Sequence, residues 1–498
     1  MRLLVANRGE IALRIFRACR DMGIETVAVF SDADRKAPHV AMADYAVRLG
    51  PPPARESYLN VPAILEAARK TKASLIHPGY GFLAENAGFA RACAAAELTF
   101  VGPSPDAIEA MGSKTGSRRM MEAAGVPVVP GTTKPAADAS ELKAFARKAG
   151  YPILLKAAAG GGGKGMRRVD SEGDLDAAFA RASSEAKAFF NDGAVYAEKL
   201  VEGPRHIEVQ VVADSRGRRI AVGERECSLQ RRHQKVVEEC PSPVVDEDLR
   251  ERLCSAAVAA AAAVDYVSCG TVEFLLAPDG SFYFLEMNTR LQVEHPVTEE
   301  VYGVDLAAEM IAIALGEPLS WSEGDLRRLG HAIECRIYAE DPRRDFAPSP
   351  GTITSLRLPA GPGVRHDIGV EQGSTVPIDY DPMLGKLVVW GPDRSWAIRR
   401  LARVLSEYEI AGVETALPLF RRLCRDADFL SGKFDVQWLE RRLAAGLLDG
   451  SEASPEDVLL AAAALSDEKA PAAAASSSAP ASLWRASGRR ESLRGGPR

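Results

Sequence analysis

The residues with the most chemical content fall in one segment, 271–290 (TVEFLLAPDGSFYFLEMNTR). Asp279-Gly280 between two β-rich runs predicts a two-residue hairpin turn. That turn puts Glu273 directly opposite Glu286, with Asn288 two residues further along the same face. Two carboxylates whose Cβ atoms lie about 5 Å apart repel each other. A divalent cation between them removes the conflict. Carboxylates joined by an amide oxygen suit Mg²⁺ or Mn²⁺ bridging phosphates. The alternative has both acids facing water and repelling weakly. It fits poorly with the dense apolar neighbours Phe274, Leu276, Phe282 and Leu285.

Arg290, Gln292 and Glu294 alternate, so in extended chain they share a face. A guanidinium fork beside a carboxylate can hold a small planar oxyanion while the carboxylate takes a proton. A structural ion pair is the other reading. A glycine run, Gly160–Gly163 with Lys164 and Gly165, follows an apolar strand that ends near Lys156. Met166 after Gly165 excludes a Walker A loop. Gly160, Gly162 and Gly165 satisfy G-x-G-x-x-G, but a strand rather than a helix follows, which weakens a dinucleotide site. A flap over a triphosphate, with Lys156 beneath it, and a plain flexible hairpin both remain open. The run 224–239 (ERECSLQRRHQKVVEE) is densely charged, and a solvated face is the default for it. Cys227, Leu229 and Val236-Val237 indicate that one side is buried. His206 and Arg336 are lone polar residues in apolar strands, and core or surface pairing is the expected reading for each.

Parallel α/β units are expected to position these groups. Residues 3–6, an amphipathic helix up to Gly23, and Thr26 to Phe30 read as strand, helix, strand. Residues 74–77 and 98–101 add strands. A second unit from about Met111 holds strands at Tyr151–Ala157 and Met166–Val169 and a helix from Ser171. A long Ala-rich helix covers 248–264, and 331–445 alternates short strands with helices. Residues 470–482 are an Ala/Ser/Pro linker, and the last 15 residues hold five Arg and one Glu.

At about 150 residues per domain, 498 residues imply about three domains. With 46% hydrophobic and 26% charged residues, composition excludes a disordered or fibrous chain. A formal charge of −6 argues against a general nucleic-acid binder. None of the eight cysteines forms a C-x-x-C pair, so reduced thiols are expected. Arg8, Glu10 and Arg14 interrupt any signal peptide, and the longest apolar run is far short of the ~20 residues that span a bilayer. The expectation is a soluble, cytoplasmic protein that meets neither membrane nor nucleic acid.

In order, RGEIALRI, HPGYGFLAEN, GGGGKGMR, RHIEVQ, ERECSLQRRHQKVVEE, EFLL…FLEMNTRLQVEHPVTE and ECRIYAEDP closely resemble the biotin carboxylase family. That family is the ATP-grasp component of biotin-dependent carboxylases. The resemblance runs from residue 1 to about 445. It implies an α/β fold: an N-terminal parallel, Rossmann-like domain (1–110), an ATP-grasp domain (111–330) with a mobile glycine-rich lid (about 130–203), a C-terminal biotin carboxylase domain (331–445), and a linker and basic tail (446–498). It implies that ATP, bicarbonate and biotin give ADP, phosphate and carboxybiotin. For ATP it implies Lys114, Lys156, Gly162, Gly163, Glu198, Lys199, Val201, His206, Gln230 and His233. It gives Glu273, Glu286 and Asn288 to Mg²⁺ or Mn²⁺, and Lys235, Arg290, Gln292 and Val293 to bicarbonate. Glu294 is then the base, Arg336 stabilises the biotin enolate, and Tyr80 borders the biotin pocket. Ser113 stands where many members carry Asp, and Ala159 where some carry glycine.

No Met is followed by Lys, so the biotin-acceptor Met-Lys-Met is absent. The expected partners are a separate biotin carboxyl carrier protein and a carboxyltransferase subunit, with a homodimer by resemblance. The same half-reaction within a pyruvate carboxylase, or a nucleotide-binding regulator without turnover, are the alternatives.

Overall fold

The computed structural model describes residues 1–132, 134–136, 138–157, 166–190 and 192–449. Gly162, Gly163 and the expected basic tail lie outside the described residues. Strands β1 (Arg2–Val5), β2 (Glu25–Ser31), β3 (Tyr45–Gly50), β4 (Leu75–His77) and β5 (Thr99–Phe100) form a parallel sheet in the order β3-β2-β1-β4-β5. Burial on both faces explains the unbroken apolar run of β1. Leu3 and Val5 pack with Ile11, Ile15 and Phe16 of the helix Gly9–Asp21. Leu4 packs with Val27, Val29 and Ile64 on the other side. Strand β3 adds to those the sequence pattern predicts; it is a sheet edge, alternating half-buried and exposed.

Strands β6 (Ile153–Ala157), β7 (Arg167–Val169) and β8 (Val195–Lys199) make a small antiparallel sheet in the order β7-β6-β8. Helices Ala139–Ala149 and Glu172–Phe190 cover it. This segment has its own core of Leu142, Ile153, Leu155, Val169, Leu175 and Val195. Ser113 caps the preceding helix Lys114–Ala123 by accepting from Gly116 N, a job either Ser or Asp can do.

The largest sheet has eight strands, every neighbouring pair antiparallel. Its order is β13 (Phe282–Asn288), β12 (Ser268–Leu276), β9 (Arg205–Ala213), β10 (Arg219–Arg231), β11 (Gln234–Cys240), β14 (His331–Tyr338), then Met383–Gly391 and Val364–Ile368. It runs continuously across residue 330. Strand β10 lies well inside it, so the default solvated face fails for 224–231 and 236–239, where both sides are buried, and holds only around the turn, at 232–234. Glu224, Arg225 and Glu226 are at most 1% exposed. Each charge is met inside the protein. Arg225 reaches Glu208 at 2.5 Å, Gln210 at 2.8 Å, Thr298 at 2.9 Å and Thr271 at 3.0 Å. Glu224 takes both ends of Arg250. Among the described residues no helix is long and apolar enough to cross a membrane.

A buried triad ties this sheet to the C-terminal helices. Glu239 accepts from Arg394 Nε at 2.7 Å and lies 2.7 Å from His331 Nε2. Burial pushes the Glu239 pKa up, but Arg394 and His331 outweigh it and hold it at about 2. A depressed carboxylate adds stability that is full above its usual value near 4.5 and lost as pH falls towards 2. Arg394→Met leaves Glu239 without its guanidinium, and stability should fall by about 3–5 kcal/mol. A lower urea midpoint at neutral pH checks this, and an unchanged midpoint contradicts it.

Candidate active site

The two facing carboxylates arise as expected, by a different route. The loop between β12 and β13 is three residues, not two: Ala277 N donates to Ser281 O at 2.8 Å. Gly280 occupies the left-handed region at φ +81°, which this loop type requires. The offset pairs Phe274 with Phe284; a bulge at Leu285 then restores Glu273 opposite Glu286. Asn288 Nδ2 donates to Glu273 Oε1 at 2.8 Å.

Repulsion between the two acids is already relieved on one side. Lys235 Nζ lies 2.8 Å from Glu273 and 2.6 Å from Glu294, and it also bonds Glu208. His206 Nε2 is 3.1 Å from Glu273 Oε2. Burial opposes the ionised form of Glu273, yet Lys235 and His206 hold its pKa well below the carboxylate range. Among the described residues Glu286 has no such partner. Solvent reaches it through the cavity, and still burial at the wall and the facing Glu273 push its pKa up, against Lys114. That unneutralised charge beside Glu273 fits a divalent cation. The amide oxygen of Asn288 accepts from Arg290 Nη2 at 2.9 Å, which leaves one lone pair for a cation.

Residues 290–294 are not extended, so the shared face expected for Arg290 and Glu294 does not exist. The chain bends and Glu294 becomes the N-cap of the helix His295–Tyr302. Arg290 instead pairs with Glu85 at 3.1 Å and Gln292 Oε1 at 2.9 Å. Glu294 is 0% exposed, between Lys235 on Oε1 and Arg336 Nη2 on Oε2 at 2.9 Å. Burial pushes it up, but Lys235, Arg336 and Arg225 outweigh burial and hold it well below its usual value.

Lys235, Glu273, Arg290 and Arg336 line a cavity of about 750 Å³, with Glu294 behind its wall. Its lining includes Tyr80, Lys114, Lys156, His206, Gln230, His233 and Lys235 from the sequence expectation, and Glu273, Glu286, Asn288, Arg290, Gln292, Val293 and Arg336. His206 and Arg336, expected as ordinary paired residues, are paired, but their partners are the site's own carboxylates. Lys156 and Met166, on either side of the glycine run, also line it. Tyr80 is held by Asn7, whose Nδ2 donates to Pro78 O and Tyr80 O at 2.8 and 2.7 Å. Gly79 between them has φ +65°, and a Cβ there would meet Asn7 at 2.8 Å.

Three expected ATP residues do not line the cavity. Glu198 is spent on Arg118 at 2.9 Å and on Lys156. Lys199 Nζ turns to the carbonyls of Gly150 and Tyr151. Val201 is outside the lining as well. The sequence reading missed Glu208, Glu10 and Lys386. Glu208 was legible: His206, Glu208 and Gln210 alternate with Ile207, Val209 and Val211, a polar face in an apolar strand. Lys386, 1% exposed, donates to Val293 O at 2.8 Å, and Glu10 receives the Tyr80 hydroxyl.

A nucleotide-sized cavity walled by facing carboxylates and a group of cations, with Lys156 of the small antiparallel sheet on one side and the long antiparallel sheet on the other, is the arrangement of the ATP-grasp ligases. Family models agree along the chain: the biotin carboxylase N-terminal domain matches residues 1–108, the carbamoyl-phosphate synthase L chain ATP-binding domain 113–322, and the biotin carboxylase C-terminal domain 334–441. Biotin carboxylase of Nostoc sp. is 51% identical over 439 residues, covering 88% of this chain and 98% of that one. A pyruvate carboxylase subunit of Methanothermobacter thermautotrophicus is 51% identical, covering 88% and 89%. The biotin carboxylase domain dimer of Hydrogenobacter thermophilus 2-oxoglutarate carboxylase, solved with MgADP, ADP and bicarbonate, superposes with a TM-score of 0.85 at 45% identity, covering 91% and 99%. The chain belongs to the biotin carboxylase family.

Proposed function

We propose that this chain carboxylates biotin, carried on a separate protein, with ATP and bicarbonate through carboxyphosphate. Glu294, buried behind the cavity wall between Lys235 and Arg336, carries this reading. Lys235, Arg290, Gln292 and the Val293 backbone hold bicarbonate, and Glu294 takes its proton. The bicarbonate oxygen attacks the γ-phosphorus as the bond to ADP breaks. Carboxyphosphate then releases CO₂, and the remaining phosphate takes the proton from biotin N1′. Arg336 stabilises the enolate whose nitrogen attacks CO₂. A Mg²⁺ or Mn²⁺ ion, which Glu273 and Glu286 would hold beside Asn288, neutralises charge on the phosphate oxygens.

The same two bonds time the reaction. Lys235 leaves Glu294 for bicarbonate before the proton moves, and protonation of Glu294 then weakens its hold on Arg336, which leaves that guanidinium to the enolate. Lys114, Lys156, His206, Gln230 and His233 serve the nucleotide, with Gly162 and Gly163 in the flap. The self-contained core of 139–199 supports its movement as a lid that keeps water from carboxyphosphate. The backbone around Glu198, Lys199 and Val201 meets adenine on closure. We divide the chain at 110, 330 and 445, as the sequence expects.

The relatives above divide between acceptors at similar identity, so the acceptor belongs to the carboxyltransferase partner rather than to this chain. A homodimer and a reducing, cytoplasmic setting complete the proposal; the eight cysteines are all free thiols. Purified protein should release ADP at full rate only with bicarbonate, free biotin and Mg²⁺ together. Equal release without bicarbonate would sink the proposal.

A further inference from the structure

Behind Arg336 lies a pair of acids that the mechanism does not use. Glu238 on β11 and Glu334 on β14 are direct cross-strand partners, and both are 0% exposed. Glu238 Oε1 accepts from Arg336 Nε at 2.6 Å. Its Oε2 and both oxygens of Glu334 have no hydrogen-bond partner among the described residues. Two facing, buried, like charges with three unmet acceptor atoms cannot both persist, because neutralising one costs far less.

Few groups could compensate. Glu334 faces Lys386 on the strand Met383–Gly391, Glu238 on β11, Arg336 on its own strand and Glu294 before the helix. Lys386 is already engaged by Val293 O and Glu10. Burial therefore pushes Glu334 well above the usual carboxylate range, more than Lys386 pulls it back, and Glu238 adds to the push. Glu238 faces Arg336, Glu294 and, on its own strand, Lys235; burial raises it to about 7 against Arg336.

We infer that Glu238 and Glu334 hold one proton between them and act as a positioning pair for Arg336. A neutral Glu334 offers an O–H to the unmet Oε2 of Glu238. That keeps Oε1 on Arg336 Nε while Glu294 holds Nη2, so two carboxylates fix the guanidinium plane. Sharing the proton also weakens the negative charge behind Arg336, which leaves it more cationic towards the enolate oxygen.

This inference rests on the carboxylation reading, and the test separates the two. Two rates are measured: bicarbonate-dependent ATP hydrolysis without biotin, and ADP release driven by free biotin. Glu334→Gln keeps a neutral donor and should stay within about twofold of the parent in both. Glu238→Gln should lose about tenfold or more in kcat/KM for biotin while bicarbonate-dependent hydrolysis stays within about threefold. An infrared difference spectrum, parent minus Glu334→Gln near pH 8, should contain a protonated-carboxyl band. The inference falls if that band is missing, if Glu334→Gln shifts the acid limb of the biotin-driven rate measured against pH, or if Glu238→Gln alters neither rate or both equally. Should Glu238→Gln fail to fold, Glu334→Gln and the spectrum decide. No biotin-driven ADP release in the parent would instead overturn the carboxylation reading, and the infrared band would still judge the pair.

Discussion

Glu294→Gln is expected to lower bicarbonate-dependent ADP release by about 10²–10⁴-fold, the range general-base catalysis spans. Nucleotide affinity should be unchanged, because Glu294 does not line the cavity and its replacement is isosteric. The resting site holds Glu294 strongly ionised, which by itself makes a weak base. Its strength has to come from the substrate. When Lys235 and Arg290 turn to bicarbonate, Lys235 leaves Glu294 Oε1, and the buried carboxylate loses its nearest compensating charge. Burial, until then outweighed, raises its affinity for the bicarbonate proton. Gln can follow none of this. ADP release against bicarbonate concentration, with a separate nucleotide titration, measures the effect. A residual rate within about tenfold of the parent would contradict the assignment of Glu294 as the base.

How much of this site the sequence carries depends on whether a residue's partners are local. Glu273 opposite Glu286 was readable from two short strands and a turn, even though the turn has three residues and a bulge at Leu285 corrects the register. Both offsets are single-residue events that alternation cannot reveal, and they cancel. Arg290 to Glu294 failed for the opposite reason. Alternation of polar residues suggested extended chain, but the helix that His295-Pro296 opens sets the local geometry, and Pro near a helix start was the available signal. For 224–239, charge density pointed to solvent because the partners lie far off in sequence. Arg225 is satisfied from β9, β12 and the helix His295–Tyr302, and no period within β10 announces that. The parallel sheet was the most legible part, since strands buried on both faces are written as apolar runs. The roles of individual ATP residues were the least legible. The side chain of Glu198 is taken by Arg118 and Lys156 and that of Lys199 by the carbonyls of Gly150 and Tyr151, a matter of rotamer and packing.

Lys235→Met should cost more stability than any other single change in the site. Lys235 sits among Glu208, Glu273 and Glu294, and burial of its own charge is outweighed by all three, which hold its pKa well above the usual lysine value. Met keeps most of the stem volume and removes the charge. Each acid retains one partner: Arg225 on Glu208, the His206 ring 3.1 Å from Glu273, Arg336 on Glu294. The loss is therefore that of one broken buried ion pair, about 3–5 kcal/mol, rather than three. Bicarbonate-dependent turnover should vanish with it. The pH dependence gives the sharper test. In the parent, Glu273 and Glu294 are depressed, so their contribution is full above about 4.5 and lost on acidification. Without Lys235 burial dominates and their pKa values rise. A raised carboxylate destabilises at neutral pH, and that penalty disappears as pH falls below its folded value. The stability gap between variant and parent should narrow between about pH 8 and about pH 5, read as urea midpoints. Lys235→Arg keeps the charge, so it should recover most of the midpoint while misplacing the donor for bicarbonate and leaving turnover low. A gap that stays constant or widens on acidification would show that Glu273 and Glu294 do not depend on Lys235 for their ionised state.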